Sequence, residues 1–198
     1  MKNKIILLIS IFFLFTNNVY AKETVKFSKC VDGDTFRVYL DEKEYYVRML
    51  AIDTPESVKE KELEYYGKES STYTCQKLTN AKKIELEYDE HSEKMDKYDR
   101  LLAWVFIDGK LLQEELVENG YAKVAYLYDN YKYASILKEK QELASAQNLG
   151  VWDMTAKKEF NPNEVTTEEE QPENLEVVLI TIIFLIITFI FSIIKRHK

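Results

Sequence analysis

Residues 31–56, VDGDTFRVYLDEKEYYVRMLAIDTPE, carry most of the information about the fold. Two runs rich in apolar, β-branched and aromatic residues, at 35–40 and 44–52, predict two strands, and a similar run at 24–31 predicts a third. Turn residues separate the runs, and three carboxylates stand where the strands stop: Asp34, Asp53 and Glu56. The fold can therefore bring these three carboxylates together in one cleft at the strand ends.

Further along the chain, the pattern predicts two more strands and three helices. The strands are expected at 82–88 and 100–107, and the helices at 66–80, at 111–120 ending at Gly120, and at 133–150 ending at Gly150. Five strands with about three helices predict an α+β domain, a five-stranded antiparallel barrel of the OB type with helices packed on it.

Arg48 is the one charge in the otherwise apolar run 45–52, and a buried guanidinium needs an anion partner. Asp34 and Asp53 are hard oxygen donors that suit Ca²⁺, although surface turns often carry Asp, so their spacing also fits plain turns. Glu56 adds a carboxylate that can reach a water molecule, and Arg100 adds a second forked donor for phosphate oxygens. Such a set is suited to phosphodiester hydrolysis.

Four motifs, VDGDTF (31–36), VRMLAIDTPE (47–56), DKYDRLLAW (96–104) and YAKVAYLY (121–128), match in order and spacing those of the staphylococcal nuclease (thermonuclease) family. The resemblance extends from about Thr24 to Trp152. It implies an OB-fold barrel, Ca²⁺ dependence and endonucleolytic cleavage of DNA and RNA to products that end in a 3′-phosphate. A monomeric nuclease domain is expected.

The resemblance also implies a role for individual residues. Asp34 and Asp53 resemble the calcium carboxylates and Thr54 the residue that adds its backbone carbonyl; Glu56 resembles the general base. Arg48 and Arg100 resemble the two phosphate-binding arginines. The positions that line the nucleotide pocket by phosphate contact or base stacking are Lys97, Tyr98, Tyr126 and Tyr128.

Two departures from the family pattern bear on substrate binding. Asp99 stands where the family usually has Gly, which predicts a strained or reshaped turn before Arg100 and a negative charge that weakens substrate binding. The loop after Glu56 mixes acids with its lysines. A catalytically weak or inactive module that binds nucleic acid or protein is therefore the alternative function, and a structural envelope protein without a calcium site is a third.

The two ends of the chain predict export and a membrane anchor. Residues 1–21 have the layout of a secretory signal peptide, with an uncleaved N-terminal anchor as the alternative. The domain is expected over 22–158, followed by an acidic disordered tether at 159–176. Residues 177–194 predict a transmembrane helix, preferred over a wall-sorting signal, and 195–198 a basic cytoplasmic tail, so the domain faces outward.

Net charge gives no general sign of nucleic-acid binding. The chain carries −7 overall, and residues 22–158 hold 22 Lys or Arg against 27 Asp or Glu, so a polyanion site must be a local basic patch. Cys30 and Cys75 are the only cysteines. Both lie in the part expected to be exported, where they can form a disulfide or remain idle thiols.

Overall fold

The structure is a computed structural model that describes residues 22–57 and 63–162. The predicted signal peptide (1–21), transmembrane helix (177–194) and basic tail (195–198), and the predicted tether beyond Pro162, lie outside these residues and stay predictions. Within the described ranges, no helix has the length and apolar character needed to span a membrane. The compact unit that contains them ends at Pro162.

The described residues form eight strands, four α-helices and a short 3-10 helix. The strands are β1 (Glu23–Cys30), β2 (Thr35–Leu40), β3 (Lys43–Met49), β4 (Ile52–Asp53), β5 (Ile84–Glu87), β6 (Leu101–Ile107), β7 (Lys110–Leu111) and β8 (Lys123–Val124). The helices are α1 (Gly67–Asn80), α2 (Leu112–Glu118), α3 (Ala134–Ala146), the 3-10 turn (Gly150–Trp152) and α4 (Met154–Glu159).

Five strands form a barrel in the order β3-β2-β1-β5-β6, which is closed by pairing of β3 with β6. The first four pairs are antiparallel, but β3 and β6 run parallel. The prediction of an all-antiparallel barrel is therefore wrong at this seam. The reason is parity: a closed ring with an odd number of strands cannot alternate direction throughout, so at least one neighbouring pair must be parallel.

Alternation along β2 and β3 places one face in the core and the other outside. Phe36, Val38, Val47 and Met49 are buried and pack in one cluster with Trp104 of β6. The intervening residues, including Arg48, project to the outer face. The barrel thus carries the site on its outside, at the end where β2 begins and β3 stops.

The strand predicted over 44–52 is interrupted. β3 ends at Met49, Ala51 takes a left-handed backbone conformation with φ 61°, and β4 then pairs with β8 in a separate two-stranded sheet. Apolar residues on both sides of Ala51 hid this break in the sequence. It turns the chain so that Asp53 lies beside the strand that contains Arg48.

The first two helices match their predictions, and Gly120 ends α2 with φ 71°. The third is shorter than predicted: it stops at Ala146, because Asn148 adopts φ 53°, which an α-helix cannot contain. Helix α4 was not predicted; the Asp153 side chain caps it by accepting from the backbone N–H groups of Thr155 and Ala156. There are thus four helices rather than about three, and α4 runs past the predicted domain end at residue 158.

Helix α1 is attached to the loop between β1 and β2 by two links. Cys30 and Cys75 form a disulfide, with 5.7 Å between their Cα atoms. One residue earlier in the helix, the Thr74 hydroxyl donates to the Gly33 carbonyl at 2.7 Å. The disulfide decides between the two alternatives left open for the cysteines. Together with the Thr74 hydrogen bond, it holds in place the loop that carries Asp34.

Candidate active site

Asp34 is fixed in the loop that leads into β2. Its Oδ1 accepts from the Thr35 hydroxyl at 2.9 Å, and its Oδ2 accepts from the Thr54 backbone N–H at 3.0 Å. Gly33 allows this approach, because a Cβ on that residue would lie 2.6 Å from Thr54 Oγ1. The start of β2 and the segment after β4 are thereby joined through one buried carboxylate.

Arg48 lies at the centre of the site, with its side chain only 12% exposed. One terminal nitrogen, NH1, donates to the carbonyls of Met49 and Ile52 at 3.1 and 3.0 Å. The other, NH2, lies 3.1 Å from Asp34 Oδ2 and 3.2 Å from Asp53 Oδ1. The anion partner that the sequence required for Arg48 is thus a pair of carboxylates, and the strand break after Met49 supplies the carbonyls that orient the guanidinium.

Asp53 lies in a mixed electrostatic environment. Burial raises the pKa of its carboxyl above the usual value and the charge of Asp34 raises this pKa further, whereas Arg48 and a hydrogen bond with Tyr126 act against them. The charge of Asp53 is in turn the main cause that raises the pKa of Tyr126. The site therefore holds more negative charge than one guanidinium neutralises.

Glu56 follows three residues after Asp53, in the chain leaving β4. Its backbone N–H donates to Glu64 Oε2 at 3.2 Å, and its carbonyl accepts from the Glu64 N–H at 3.0 Å. Gly67, at the start of α1, packs against this carbonyl so closely that a Cβ would lie 2.1 Å from it. Backbone contacts on both sides therefore fix where the Glu56 carboxylate can reach.

Arg100 forms a neighbouring cluster just before β6. Its Nε and NH2 donate to Asp96 Oδ2 at 2.7 and 2.6 Å, and its guanidinium lies 5.3 Å from the Tyr98 ring. Burial alone would raise the pKa of Asp96, but hydrogen bonds from the backbone and side chain of Arg100 and from the Tyr98 N–H outweigh it and lower that pKa. Asp96 thus holds Arg100 as a charged pair.

The parallel seam places the two clusters at neighbouring strands. Leu101 pairs with Val47 and Leu102 with Arg48, so Arg100 precedes β6 on the strand next to Arg48. Of the predicted substrate residues, Tyr126 lies 5.5 Å from the Arg48 guanidinium and 6.3 Å from the Tyr128 ring, while Lys97 lies 5.0 Å from the Tyr98 ring. Tyr98 and Tyr128 are the most exposed, at 66% and 82%.

The donors around Asp34 and Asp53 fit a hard cation. Both supply carboxylate oxygens, and the buried Thr54 hydroxyl has no hydrogen-bond partner among the described residues. In residues 22–57 and 63–162, no three acidic, histidine or cysteine side chains gather closely enough to hold a metal on their own. A cation here would therefore rely on two carboxylates, an oxygen of Thr54 and water, a set that Ca²⁺ accepts.

Residues 46–154, which contain both arginines, Asp53, Glu56 and the tyrosines, match the sequence model of the family described as staphylococcal nuclease homologue. The chain belongs to the staphylococcal nuclease family. The resemblance carried by the four motifs is thereby confirmed.

The chain is similar to several members of this family. It is 36% identical over 132 residues to the thermonuclease of Staphylococcus hyicus, covering 66% of this chain and 76% of that protein. It is 40% identical over 130 residues to the SPbeta prophage-derived endonuclease YokF and 38% over 130 residues to the endonuclease YncB, both of Bacillus subtilis (strain 168). These matches cover 65% of this chain, but 43% and 61% of the two endonucleases.

Two features of this nuclease-family site were not predicted from the sequence. Asp96 pairs with Arg100, and Tyr126 interacts electrostatically with Asp53. Asp96 opens the motif DKYDRLLAW four residues before the arginine, which was the available signal. Nothing local to Tyr126 points to Asp53, because that contact depends on pairing of β4 with β8.

Proposed function

We propose that the chain is an exported, membrane-anchored nuclease that requires Ca²⁺ and hydrolyses phosphodiester bonds of DNA and RNA, leaving a 3′-phosphate. The observation that carries this proposal is the contact of Arg48 with both Asp34 and Asp53 on the outer end of the barrel. The family supports it: the similar proteins are named thermonuclease and endonuclease. A module that only bound a partner would need no such concentration of opposed charges.

The residues proposed to hold Ca²⁺ are Asp34, Asp53 and Thr54. When bound, the ion supplies the positive charge that the two carboxylates share and polarises a phosphate oxygen. Asp34 and Asp53 share the single Arg48 guanidinium, so two carboxylates face one positive charge and a cation would offset the remaining negative charge.

Arg48 and Arg100 are proposed to bind the phosphate that reacts. Arg48 is anchored through NH1 on two carbonyls, which leaves NH2 as the edge that can exchange a carboxylate for a phosphate oxygen. Arg100 is held by Asp96 at 30% exposure, accessible from solvent. Two forked donors on adjacent strands stabilise the charge that grows on phosphorus in the transition state.

Glu56 is proposed as the general base. It accepts a proton from water as the water oxygen bonds to phosphorus and the bond from phosphorus to the 5′ oxygen breaks. The 5′ oxygen takes a proton from solvent and leaves as a hydroxyl group, and Glu56 then returns its own proton to solvent. The phosphate stays on the 3′ side of the cut. Lys97, Tyr98, Tyr126 and Tyr128 are proposed to hold the adjoining nucleotide by phosphate contact and stacking.

The proposed location rests on the sequence at the two chain ends. The N-terminal pattern resembles a secretory signal, and the 18 uncharged residues at 177–194, followed by Lys195, Arg196 and Lys198, suit a single span with a cytoplasmic tail. A disulfide between Cys30 and Cys75 is consistent with an oxidising compartment.

The decisive experiment measures cleavage of single-stranded DNA and of RNA by the full-length protein purified in detergent, with millimolar Ca²⁺ or with a chelator. We expect cleavage only with Ca²⁺. Glu56→Gln should lower the rate by about 100-fold or more, because a positioned base contributes about 10²–10⁴. Glu139→Gln, an exposed change on α3, is the matched control and should cleave normally.

Calorimetric titration with Ca²⁺ distinguishes the alternative functions. Binding of Ca²⁺ without cleavage of either polymer would favour a binding module of the same fold. No binding of Ca²⁺ and no cleavage would favour a structural role. Full activity of Glu56→Gln would show that Glu56 is not the general base.

A further inference from the structure

A cavity opens beside the proposed calcium residues, where the chain leaves β4. Its volume of about 390 Å³ lies in the range of about 300–1,000 Å³ that is usual for small-molecule sites. We call it the side cavity, and its lining includes Asp53, Thr54, Tyr65, Lys123, Lys157 and Phe160. The last four have no role in the site described so far.

The outer part of the side cavity is built by the C-terminal end of the domain. Helix α4 supplies Lys157, and Phe160 follows the helix directly. The Phe160 ring packs against Tyr65, which precedes α1, with ring centroids 5.8 Å apart and an angle of 67° between the ring planes. The match to the nuclease family ends at residue 154, so Lys157 and Phe160 belong to a part of the chain that the match does not cover.

Two cations of the side cavity keep their charge available. Among the described residues, the lysines that form ion pairs are Lys77, Lys83, Lys94, Lys132 and Lys140. Lys123 and Lys157 are not among them, although both line the cavity. An anion that enters the cavity therefore meets two lysines that no carboxylate of the described chain neutralises.

The two carboxylates in the lining are engaged elsewhere. Asp53 faces Arg48 at 3.2 Å and is proposed to hold Ca²⁺. Glu64 accepts from the Glu56 backbone N–H at 3.2 Å. The groups left to bind a ligand are thus two cations and an aromatic wall, which suits a nucleotide: rings pack against a base and ammonium groups bind phosphate.

Each lysine also has an ordinary structural explanation. Lys123 Nζ lies 5.0 Å from the Trp152 ring, and Lys157 stands in the last turn of α4, where a cation is favourable. Lys158 occupies the same turn but does not line the side cavity. Neither explanation accounts for a cavity in which unpaired cations and two rings meet.

The side cavity and Tyr126 lie at opposite ends of β8. Lys123, the first residue of this strand, pairs with Asp53, whereas Tyr126 follows the last residue by two positions and lies 5.5 Å from the Arg48 guanidinium. Asp53 interacts with Tyr126 as well, so it stands between the two ends. A chain whose phosphate is bound at Arg48 can therefore place one neighbouring nucleotide against Tyr126 and the other in the side cavity.

We propose that the side cavity is a second nucleotide subsite, which takes the nucleotide on the other side of the scissile phosphate from the one beside Tyr126. Tyr65 and Phe160 pack against its base, and Lys123 and Lys157 bind the phosphate beyond it. The inference rests on the proposed nuclease function and adds a preference to it. Substrates that carry this further phosphate bind more tightly than those that end at the nucleoside.

The test uses three thymidine dinucleotides with one phosphodiester each: without a terminal phosphate, with a 5′-phosphate and with a 3′-phosphate. Calorimetry measures their affinity for full-length Glu56→Gln protein in detergent with millimolar Ca²⁺, so that the diester is bound and cleavage is suppressed. The terminal phosphate of the nucleotide in the side cavity should improve affinity by about fivefold, as expected for exposed ion pairs.

Two neighbouring lysines provide the matched comparison. Added to Glu56→Gln, Lys157→Gln should reduce the gain from one terminal phosphate to about twofold or less and leave the gain from the other unchanged. Lys158→Gln removes an equal charge from the same turn of α4 and should change neither gain. A general loss of positive charge would instead lower both gains equally in both variants.

The aromatic wall is tested separately. Tyr65→Leu should weaken binding of all three dinucleotides on the order of 10-fold, since it removes a ring that packs against the base. Tyr65→Phe keeps the ring and should bind normally. Melting temperatures of both variants check that the domain is folded, and the lysine comparison stands if Tyr65→Leu is not.

Failure of this inference differs from failure of the proposed function. Equal affinities for the three dinucleotides, or gains that Lys157→Gln leaves intact or lowers equally, would show that the side cavity is not a subsite. Ca²⁺-dependent cleavage of DNA by the wild type would still stand. A gain that depends on Lys157, in a protein whose wild type cuts neither DNA nor RNA, would keep the side cavity and overturn the nuclease.

Discussion

Asp99 is the residue at which backbone conformation and charge both act against the neighbouring site. It holds φ 59°, in the left-handed region, and its exposed carboxylate stands next to Arg100 in the chain. Most residues other than Gly adopt this conformation only with strain. Asp tolerates the conformation better than most residues, so the strain is small and the charge is the larger effect.

Replacing Asp99 separates the two effects. At a separation of about 8 Å in water, a carboxylate and a phosphate repel by ~0.5 kcal/mol, so Asp99→Asn should lower KM for DNA about twofold. Asp99→Gly should lower KM equally and also raise the melting temperature above that of Asp99→Asn, because Gly accepts positive φ freely. Cleavage kinetics at two salt concentrations check the charge effect, which must shrink at high salt. An unchanged KM in both variants would contradict it.

At the scale of elements, Glu115 of α2 bonds to two residues of α1. We call this set of contacts the joint between α1 and α2. Glu115 Oε1 accepts from the Tyr73 hydroxyl at 2.7 Å and lies 2.5 Å from Lys77 Nζ, both on α1. Burial alone would raise the pKa of Glu115, but Lys77 and Tyr73 outweigh it and lower that pKa below 4.5. The joint therefore stabilises the fold only while Glu115 is ionised.

The pH dependence of this joint has a definite sign. Since the folded pKa is depressed, the contribution is fully present above the ordinary value of 4.5 and is lost as pH falls through the lower folded value. Glu115→Gln should lower the melting temperature by about 2–4 °C at pH 7, for a partly exposed pair worth at most ~1 kcal/mol. The difference from wild type should shrink as pH falls below 4.5 and vanish once Glu115 is protonated in the folded protein.

Glu142→Gln, an exposed change on α3, serves as the control in the same melting series and should show no such convergence. A gap between wild type and Glu115→Gln that stays constant from pH 7 to pH 3 would mean that packing, not ionisation, makes the joint.

For the whole molecule, the disulfide is the largest single constraint on the unfolded chain. Cys30 and Cys75 are separated by 45 positions, and closing a loop of that size stabilises a domain by about 2–4 kcal/mol. Replacing both with Ser should lower the urea midpoint accordingly. Cleavage well below the unfolding transition should persist, because Thr74 still bonds to Gly33 and holds the Asp34 loop.

Reductant provides the internal control for this prediction. Dithiothreitol should lower the midpoint of the wild type to that of the double variant and leave the variant unchanged. If the wild type does not respond to reductant, the disulfide contributes nothing to stability.

Local patterns predicted much of the barrel and of the site. Runs rich in β-branched and aromatic residues indicated the five strands of the barrel, and the isolated charge of Arg48 indicated that this residue needs an anion partner. What escaped prediction depends on distant pairings or on single backbone angles: the parallel seam, the break at Ala51, the end of α3 before Asn148, and the contact between Tyr126 and Asp53. A positive φ at Ala or Asn leaves little trace in hydrophobic periodicity.

The seam between β3 and β6 also decides when the proposed nuclease can first act. Arg48 is synthesised long before Leu102, the residue that pairs with it, and such non-local pairings form late in folding. A nascent chain therefore contains the Arg48 guanidinium before the Arg100 guanidinium is in place on the neighbouring strand. The proposed phosphate-binding pair is therefore complete only after β3 and β6 have joined and the ring of strands is closed.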